Sequence, residues 1–467
     1  MTCKLIRPGR IFSVVTLLLL STLIVTAQNP VPSINQPLVP SAFAPSVPGL
    51  TFALTVNGTG FVSDSVVNWN GHPRTTAYVN SSKLYAYILS SDTGQASTAW
   101  ITVVNPTPGG GTSNTVFLPI NSPTSTVSFE PRANYPVGEC PQYIATADFA
   151  RNGKLDLVSA NDCDGTASVL LGNGDGTFQP QVPYSAGGGD SQAPIIGDFN
   201  RDGILDFAVP YYQVAILLGR GDGTFLPEVS YPDNGSFHGI TADFNGDGKL
   251  DLAIADSGVS ILLGNGDGTF GPANEYQAGG FSTTVATGDF NRDGKLDLVT
   301  SNYEGGNVSV LLGRGDGTFQ PHVEYGAGPN PGGVVVADVN GDGKLDLIVA
   351  NQGSATVSVL LGNGDGTFRP KMDYPVTHAA IRVDVGDFNQ DGKLDLAVAT
   401  FGDTVDILLG NGDGSFQAPL SFPTGTEPWN ALPADFNGDG HLDIATGNFG
   451  DSTISVLLQT STVKLHK

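Results

Sequence analysis

A sequence pattern that occurs seven times constrains the fold of this 467-residue chain more than any other feature. Each copy resembles DFNRDGKLDL (residues 289–298), in which acidic residues and an asparagine stand at every second position before an apolar run. A period of this length indicates a solenoid or a propeller, because one such unit cannot bury both of its faces alone. The copies are 45 to 50 residues apart and begin at Asp148, Asp198, Asp243, Asp289, Asp338, Asp387 and Asp435.

The residues between the acidic loops predict about four strands for each repeat. An apolar run such as LDLAIA (250–255) follows the loop, and then come a segment like SVLLG, a GDGTF turn and an extended segment. The pattern has no helical periodicity of useful length, and four strands per period are typical of a propeller blade. We therefore expect an all-β chain with a seven-bladed β-propeller at residues 125–462. An open solenoid is the alternative.

The two ends of the array favour a closed ring. The seventh copy stops at Leu458 without its GDGTF turn and last strand, while residues 129–135, before the first copy, match residues 178–184. A strand from the N-terminal side that completes the last blade would remove an open sheet edge, which invites aggregation.

Residues 30–121 predict a separate small β-domain. They contain no acidic loops, and alternating segments such as FALTVNGTGF (52–61), KLYAYI (83–88) and AWITVVNP (99–106) recur at intervals typical of a β-sandwich.

The N-terminal residues 1–27 have the features of an export signal. Lys4, Arg7 and Arg10 precede an apolar run at residues 11–25, which ends near small residues suited to cleavage. A membrane anchor is the alternative, but the run is shorter than the ~20 residues that a spanning helix needs. We therefore expect a secreted, periplasmic or surface-held protein with no membrane insertion after cleavage.

The acidic loops predict calcium sites. Six loops carry Asp, Asn and Asp at positions 1, 3 and 5, Gly at position 6 and Asp at position 9. Ca²⁺ takes about 6 to 8 hard oxygen ligands with tolerant geometry, whereas transition metals prefer His or Cys, and these loops have neither in ligand register. The net charge of -24 also suits a cation and argues against nucleic acid. The alternative is a hairpin of Asx-turns with solvated carboxylates.

The predicted calcium ligands of the six complete loops are Asp198, Asn200, Asp202 and Asp206; Asp243, Asn245, Asp247 and Asp251; Asp289, Asn291, Asp293 and Asp297; Asp338, Asn340, Asp342 and Asp346; Asp387, Asn389, Asp391 and Asp395; and Asp435, Asn437, Asp439 and Asp443. We expect the side chain at position 7 (Lys, Ile or His) to point away from the ion.

The first loop departs from the pattern. Ala150 replaces the asparagine and Asn152 replaces the second aspartate, so only the carboxylates of Asp148 and Asp156 remain. We expect this seventh site to be weak or empty. The GDGTF segments could hold a second metal, but Asp-Gly is a strong turn signal, and we interpret them as plain turns.

Two cysteines remain after signal cleavage, an even number that suits an oxidising compartment. Cys140 lies eight residues before the first loop (148–156) and Cys163 lies seven residues after it. If the loop turns a hairpin, the two residues face each other, and we expect a disulfide in the first blade.

The repeats resemble a known family. DFNGDGKLDL (243–252) and VSVLLGNGDGTF (357–368) are similar to FG-GAP/VCBS repeats, whose blades resemble those of integrin α-subunit propellers. The resemblance implies a seven-bladed propeller with calcium in its hairpin loops, and adhesion or ligand binding more often than catalysis. GTGF (58–61) and VVNPTPGGGTSN (103–114) resemble the IPT/TIG domain, which implies an immunoglobulin-like fold for residues 30–121.

A ligand site is best sought on the face opposite the loops, where the residues that begin each blade vary. Tyr143, His238, Arg382 and Trp429 are the candidates there, and loop packing is the alternative role for them. No catalytic motif is recognisable, so we expect a non-enzymatic adhesion, ligand-binding or scaffold protein whose partner is an extracellular glycan or protein. A carbohydrate-active lyase or hydrolase, and an inert surface spacer, are the alternatives.

Overall fold

The described part of the chain consists of β-strands joined by turns and loops, with no helix. The computed structural model describes residues 29–34, 38, 52–93, 97–120, 126–188, 193–232 and 237–460. Within these ranges no helix is present that could cross a membrane. The predicted signal peptide, residues 1–27, lies outside the described residues.

The N-terminal domain contains two sheets that pack around one apolar core. One sheet has the strand order β1-β2-β6-β5, and the other has the order β4-β3-β7-β8 with β9 beside β7. Trp69, Leu84, Ile101 and Leu118 are among the side chains buried between them. The strands are β1 Ser33–Ile34, β2 Phe52–Thr59, β3 Val66–Trp69, β4 His72–Pro73, β5 Thr75–Asn80, β6 Lys83–Ile88, β7 Ser97–Asn105, β8 Gly111–Thr112 and β9 Val116–Ile120.

The rest of the described chain forms repeated four-stranded antiparallel sheets, as the sequence predicts. Sheet 1 contains β11 Pro141–Ala147, β12 Asp156–Asn161, β13 Thr166–Leu170 and β14 Val182–Ser185; sheet 2 contains β15 Ile195–Gly197, β16 Asp206–Val209, β17 Gln213–Leu217 and β18 Val229–Pro232; sheet 3 contains β19 His238–Ala242, β20 Asp251–Ala255, β21 Gly258–Leu262 and β22 Asn274–Gln277; and sheet 4 contains β23 Ser282–Gly288, β24 Asp297–Asn302, β25 Asn307–Leu311 and β26 Val323–Gly326.

Three further sheets complete the series. Sheet 5 contains β27 Pro331–Ala337, β28 Asp346–Asn351, β29 Thr356–Leu360 and β30 Met372–Pro375; sheet 6 contains β31 Ala380–Gly386, β32 Asp395–Thr400, β33 Thr404–Leu408 and β34 Leu420–Pro423; and sheet 7 contains β35 Leu432–Ala434, β36 Asp443–Asn448, β37 Thr453–Leu457 and, from the start of the repeat region, β10 Ala133–Pro136.

The apolar core of the repeats lies between neighbouring sheets. For example, Val158 and Ala160 of sheet 1 pack with Phe207 and Val209 of sheet 2. Equivalent clusters occupy each following joint, and one also joins sheet 7 to sheet 1. Because both faces of a sheet are covered, its second strand is buried on both sides, as the pattern of β12 and β24 shows.

Aromatic residues of the repeat pattern connect each sheet to the next. Phe199, the second residue of the second loop, packs edge to face on Phe270 in the GDGTF turn of the next repeat (266–270), with ring centroids 5.5 Å apart. Phe290 and Phe368 form the same pair, also at 5.5 Å. Such edge-to-face pairs add about 0.5 to 1.5 kcal/mol beyond the buried area. The repeated motif therefore supplies both aromatic residues of each such contact between neighbouring sheets.

Strand β10 closes the series. It pairs antiparallel with β37, with Ala133 opposite Val456 and Tyr135 opposite Ile454. The predicted pairing of an N-terminal segment with the last repeat is therefore present in the structure. It gives sheet 7 the outer strand that its own repeat lacks and leaves no unpaired edge on β37.

Cys140 and Cys163 form a disulfide, with their Cα atoms 5.4 Å apart. The bond joins the residues just before β11 to the turn after β12, so it links the two ends of the hairpin that carries the first loop.

Removal of this disulfide should lower the stability of the protein. The closed loop spans 23 residues, and its chain-entropy contribution is about 3 kcal/mol. We expect the variant Cys140→Ser/Cys163→Ser to lose about that much free energy of unfolding in urea titrations, and the wild type to lose a similar amount under reducing conditions. Equal stability of the wild type in oxidising and reducing buffer would contradict this assignment.

Candidate functional site

The acidic loops share one hydrogen-bonded shape. In the second loop, Asp198 accepts hydrogen bonds from the backbone N–H of Asp202 at 3.1 Å and of Gly203 at 2.9 Å. Asn200 Oδ1 accepts from the N–H of Asp202, and Asp202 Oδ1 accepts from the N–H of Ile204. Gly203 has a φ of 80°, which glycine adopts without strain. The oxygens of positions 1, 3 and 5 are thus held over consecutive amides.

The aspartate at position 9 is buried and links two backbone segments. Asp206 is 0% exposed, and its carboxylate accepts hydrogen bonds from the N–H of Phe199 at 2.9 Å and of Gly219 at 2.8 Å. The first bond holds the loop, and the second holds the residue that follows the third strand. The same pair of bonds is made by Asp251, Asp297, Asp346, Asp395 and Asp443.

These buried carboxylates have raised pKa values. Burial, together with the nearby carboxylates of Asp198 and Asp202, raises the pKa of Asp206 to about 7, although the two backbone hydrogen bonds act to lower it. The same causes raise the pKa of Asp395 to about 8. The carboxylates at positions 1, 5 and 9 are therefore close enough to repel one another.

The aspartates of the GDGTF turns are exposed, unlike the buried aspartates at position 9 of the loops. Asp175 is exposed and accepts hydrogen bonds from both the hydroxyl and the N–H of Thr177, which lowers its pKa. Asp222, Asp267, Asp316 and Asp365 repeat this arrangement. These aspartates form local turns, in agreement with the interpretation of the sequence.

The first loop has the same shape with fewer carboxylates. Asp148 accepts hydrogen bonds from the N–H groups of Asn152 and Gly153, and Asn152 Oδ1 accepts from the N–H of Lys154. Asp156 accepts from the N–H groups of Ala150 and Gly172. An asparagine at position 5 therefore supports the turn as well as the aspartate of the other loops does.

The loop side chains do not form a ready-made metal cage. In the described ranges, no three His, Cys, Asp or Glu side chains are grouped so that they could hold a metal ion. The reason is visible in the loops, where the carboxylate oxygens contact backbone amides. The lysine at position 7 also differs from expectation in four loops, because it turns back toward the aspartate at position 5, as Lys249 does toward Asp247 at 2.8 Å.

Three of the four ligand candidates, which come from the first strands of sheets 1, 3 and 6, lie together. The guanidinium of Arg382 lies 4.7 Å from the ring centroid of Tyr143, which also lies 5.7 Å from the His238 ring. Arg382 Nη2 donates to the carbonyl of Thr283 at 3.2 Å, and Nη1 donates to Thr284 Oγ1. Arg382 is 7% exposed and Tyr143 is 5% exposed, so both side chains are buried.

Trp429, the fourth candidate, lies apart in an aromatic group. Its ring centroid is 6.4 Å from that of Phe401 and 5.8 Å from that of Phe449. Phe401, Phe281 and Tyr212 are exposed large side chains on the same face, and the sequence analysis did not select them. Their signal in the sequence is an aromatic residue just outside a first or second strand, where the other repeats vary.

A cavity of about 1270 Å³ lies between the N-terminal domain and the acidic loops. The domain contacts two loops directly, since the N–H of Val31 donates to Asp243 Oδ2 at 2.9 Å and Thr98 Oγ1 donates to the carbonyl of Gly440 at 2.9 Å. Trp100 of the domain and Asp384 of β31 are among the residues that line the cavity. The sequence analysis selected neither residue.

Comparison with known families supports the interpretation of the repeats. The sequence matches the FG-GAP-like repeat over residues 148–209, 243–300, 289–349, 338–398 and 387–446, which together make up more than half of the chain. No curated protein matches the sequence.

Solved structures show a likeness of fold. BBS1N, in its complex with ARL6DN, is 12% identical, with a TM-score of 0.51 over 73% of this chain and 99% of that chain. An auxiliary nutrient binding protein from Bacteroides ovatus is 12% identical over 92% and 98% of the two chains, with a TM-score of 0.44. The periplasmic gluconolactonase of Pseudomonas aeruginosa is 16% identical over 72% and 95%, with a TM-score of 0.46. The first likeness supports a propeller-like fold, and none of them bears on function.

Acid should lower the contribution of His238 to the stability of the protein. Burial lowers the pKa of His238 to about 4 from 6.5, so between these values the unfolded chain binds a proton that the folded chain does not. The contribution of His238 to the free energy of unfolding is fully present above its pKa in the unfolded chain. It decreases by up to about 1.4 kcal/mol per pH unit as the pH falls toward its pKa in the folded protein. We expect His238→Gln to lose less free energy of unfolding than the wild type between about pH 7 and about pH 4.5. Equal losses in urea titrations at the two pH values would contradict this.

Proposed function

Because the chain belongs to the FG-GAP-like repeat family, we propose that it is an exported, calcium-binding β-propeller that acts as a non-catalytic adhesion, ligand-binding or scaffold protein. In this proposal the sheets 1 to 7 are the blades of a closed seven-bladed ring. The N-terminal β-sandwich is an IPT/TIG-like immunoglobulin-fold domain.

The observation that carries the calcium proposal is the contrast between the first loop and the other six. The first loop makes the same turn with Asn152 at position 5 and with no oxygen side chain at position 3. In the other loops, an extra carboxylate at position 5 adds repulsion and contributes nothing that the turn requires. Carboxylates in excess of structural need are explained by a cation that binds among them.

The chemistry of the donor set fits calcium. Each complete loop offers three carboxylates and one amide oxygen at positions 1, 3, 5 and 9, and none of these four side chains is a nitrogen or sulfur ligand of the kind that transition metals prefer. In the second loop, Asp198, Asn200, Asp202 and Asp206 would hold the ion. Calcium would neutralise the crowded carboxylates, and the loop's own amides already hold the side chains of positions 1, 3 and 5 in place.

Calcium would then act as a stabiliser of the ring outside the cell. Extracellular modules bind Ca²⁺ with Kd values of about 10⁻⁴ to 10⁻³ M, so the loops would be filled in extracellular fluid and empty in the cytosol. The disulfide between Cys140 and Cys163 suits the same oxidising compartment.

The face opposite the loops is the proposed recognition surface for an extracellular glycan or protein. Tyr212 is 63% exposed there, and Phe401 and Phe281 are also exposed. Exposed aromatic rings offer large apolar area at low cost in side-chain entropy, which is useful in binding sugars or peptide side chains. Buried Arg382 and Tyr143 and half-buried His238 hold the centre of this surface, and Trp429 lies within its aromatic group.

Calcium should raise the thermal stability of the protein and bind at about six sites. Each filled site contributes about 1.4 kcal/mol when free calcium is about ten times its Kd. Calorimetric titration and thermal melts with calcium, with magnesium and with chelator measure both quantities. A melting temperature that is the same in calcium and in chelator would contradict the proposal.

Two matched variants separate calcium binding from the structural role of the ninth aspartate. Asp297 and Asp156 each accept two backbone hydrogen bonds, so Asp297→Asn and Asp156→Asn damage the calcium-free fold similarly. We expect Asp297→Asn to remove one calcium ion and Asp156→Asn to remove none. Equal losses of bound calcium in the two variants would contradict the distinction between the loops.

A further inference from the structure

The centre of the ring contains a space that opens toward the acidic loops. Its wall is formed by residues of the first strand of several sheets, which are Thr146, Ile196, Thr241, Asp384, Val385, Leu432 and Pro433. At the other end Arg382, from sheet 6, reaches Tyr143 of sheet 1 and Thr284 of sheet 4, so it crosses the ring and closes it. The space is therefore continuous with the cavity beneath the N-terminal domain.

The repeats provide an internal comparison for the position of Asp384. Three residues before the loop, six repeats have an apolar residue and the sixth repeat has Asp384. The apolar residues are Ala145, Ile195, Ile240, Ala286, Val335 and Leu432. A carboxylate is therefore not required at this position by the fold of a blade.

Asp384 is half-buried in this wall without an opposite charge. Its carboxylate accepts one hydrogen bond, from the N–H of Val385 at 2.8 Å. None of the ion pairs in the described chain involves it. Burial raises its pKa to about 6. Among the first-strand residues that line the described cavity, Asp384 is the only charged one.

The surroundings favour an organic cation over a metal ion. A metal such as calcium needs about six or more oxygen ligands, but the neighbouring wall is mostly apolar. The hydroxyls of Thr146 and Thr241 donate to backbone carbonyls of their own sheets. A lone carboxylate in an apolar wall instead matches one ammonium group with a hydrocarbon or sugar body.

The electrostatic potential of the cavity also favours a cationic ligand. The first aspartates of five loops, among them Asp148, Asp243 and Asp435, line the mouth of the cavity. Arg151, Lys154 and Arg201 also line the cavity, but with Asp384 included its lining has six carboxylates against these three basic groups. Because the protein also has a net charge of -24, the cavity concentrates cations and repels anions. The volume of about 1270 Å³ is ample for a ligand of one or two sugar rings.

We propose that the central cavity binds a small organic amine, such as an amino sugar, whose ammonium group pairs with Asp384. The apolar wall of the ring and Trp100 of the N-terminal domain contact the body of the ligand. This site lies on the loop side of the ring, away from the recognition surface, and it does not depend on whether calcium fills the loops.

Isothermal titration of the mature chain with two matched pairs of probes tests the proposal. The pairs are glucosamine with glucose and cadaverine with 1,5-pentanediol, all in about 2 mM calcium so that the loop carboxylates are neutralised. We expect the amines to bind and the neutral partners to bind at least about tenfold more weakly. Equal affinity within each pair, or no binding of either amine, would overturn the proposal.

Variants at Asp384 identify the residue and separate binding from folding. Asp384→Asn should weaken amine binding by about tenfold or more, whereas Asp373→Asn, which removes an exposed carboxylate, should leave it unchanged. Asp384→Leu introduces the residue of the seventh repeat, and we expect it to abolish binding and to raise the melting temperature, since it replaces an unpaired half-buried charge. Retained amine binding in both Asp384 variants, or a melting temperature lowered by Asp384→Leu, would show that the carboxylate is structural.

Discussion

The fold of the repeats depends on one buried carboxylate in each of them. The aspartate at position 9 of a loop is fully buried and joins two backbone segments, as Asp206 does with the N–H groups of Phe199 and Gly219. A buried carboxylate is costly unless hydrogen bonds compensate it. Here the two amides belong to the loop and to the end of the third strand, so the compensation is available only when the four strands are in place.

The sheets are equally dependent on one another. Their second strands are buried on both faces, and the aromatic pairs such as Phe199 with Phe270 belong to different repeats. A single repeat would expose both faces, so stability comes from the joints between sheets. Strand β10 extends this dependence to the ends of the chain, because it supplies the last strand of sheet 7.

The acidic residues have at least three separate roles. Exposed aspartates such as Asp175 form turns with a following threonine, and the ninth aspartates hold the fold together. The carboxylates at position 5 exceed what the turn needs, as the first loop shows, and we assign them to calcium. Asp384 is different again, because it stands at a position where the other repeats are apolar and has no partner of opposite charge.

The sequence determined the all-β class, the four-stranded repeats and the pairing of Cys140 with Cys163, because each depends on local periodicity and turn chemistry. It also determined the strand that completes sheet 7, because residues 129–135 repeat the pattern of a last strand that the seventh copy lacks. It also indicated that the loop oxygens would be clustered. Only the tertiary structure decided that those oxygens contact backbone amides, that Arg382 crosses the ring to Tyr143 while Trp429 lies apart, and that Asp384 faces a cavity. These features join residues of non-adjacent repeats or of two domains. The sequence does not predict them because local spacing does not determine which side chains of distant repeats come together at the centre of the fold.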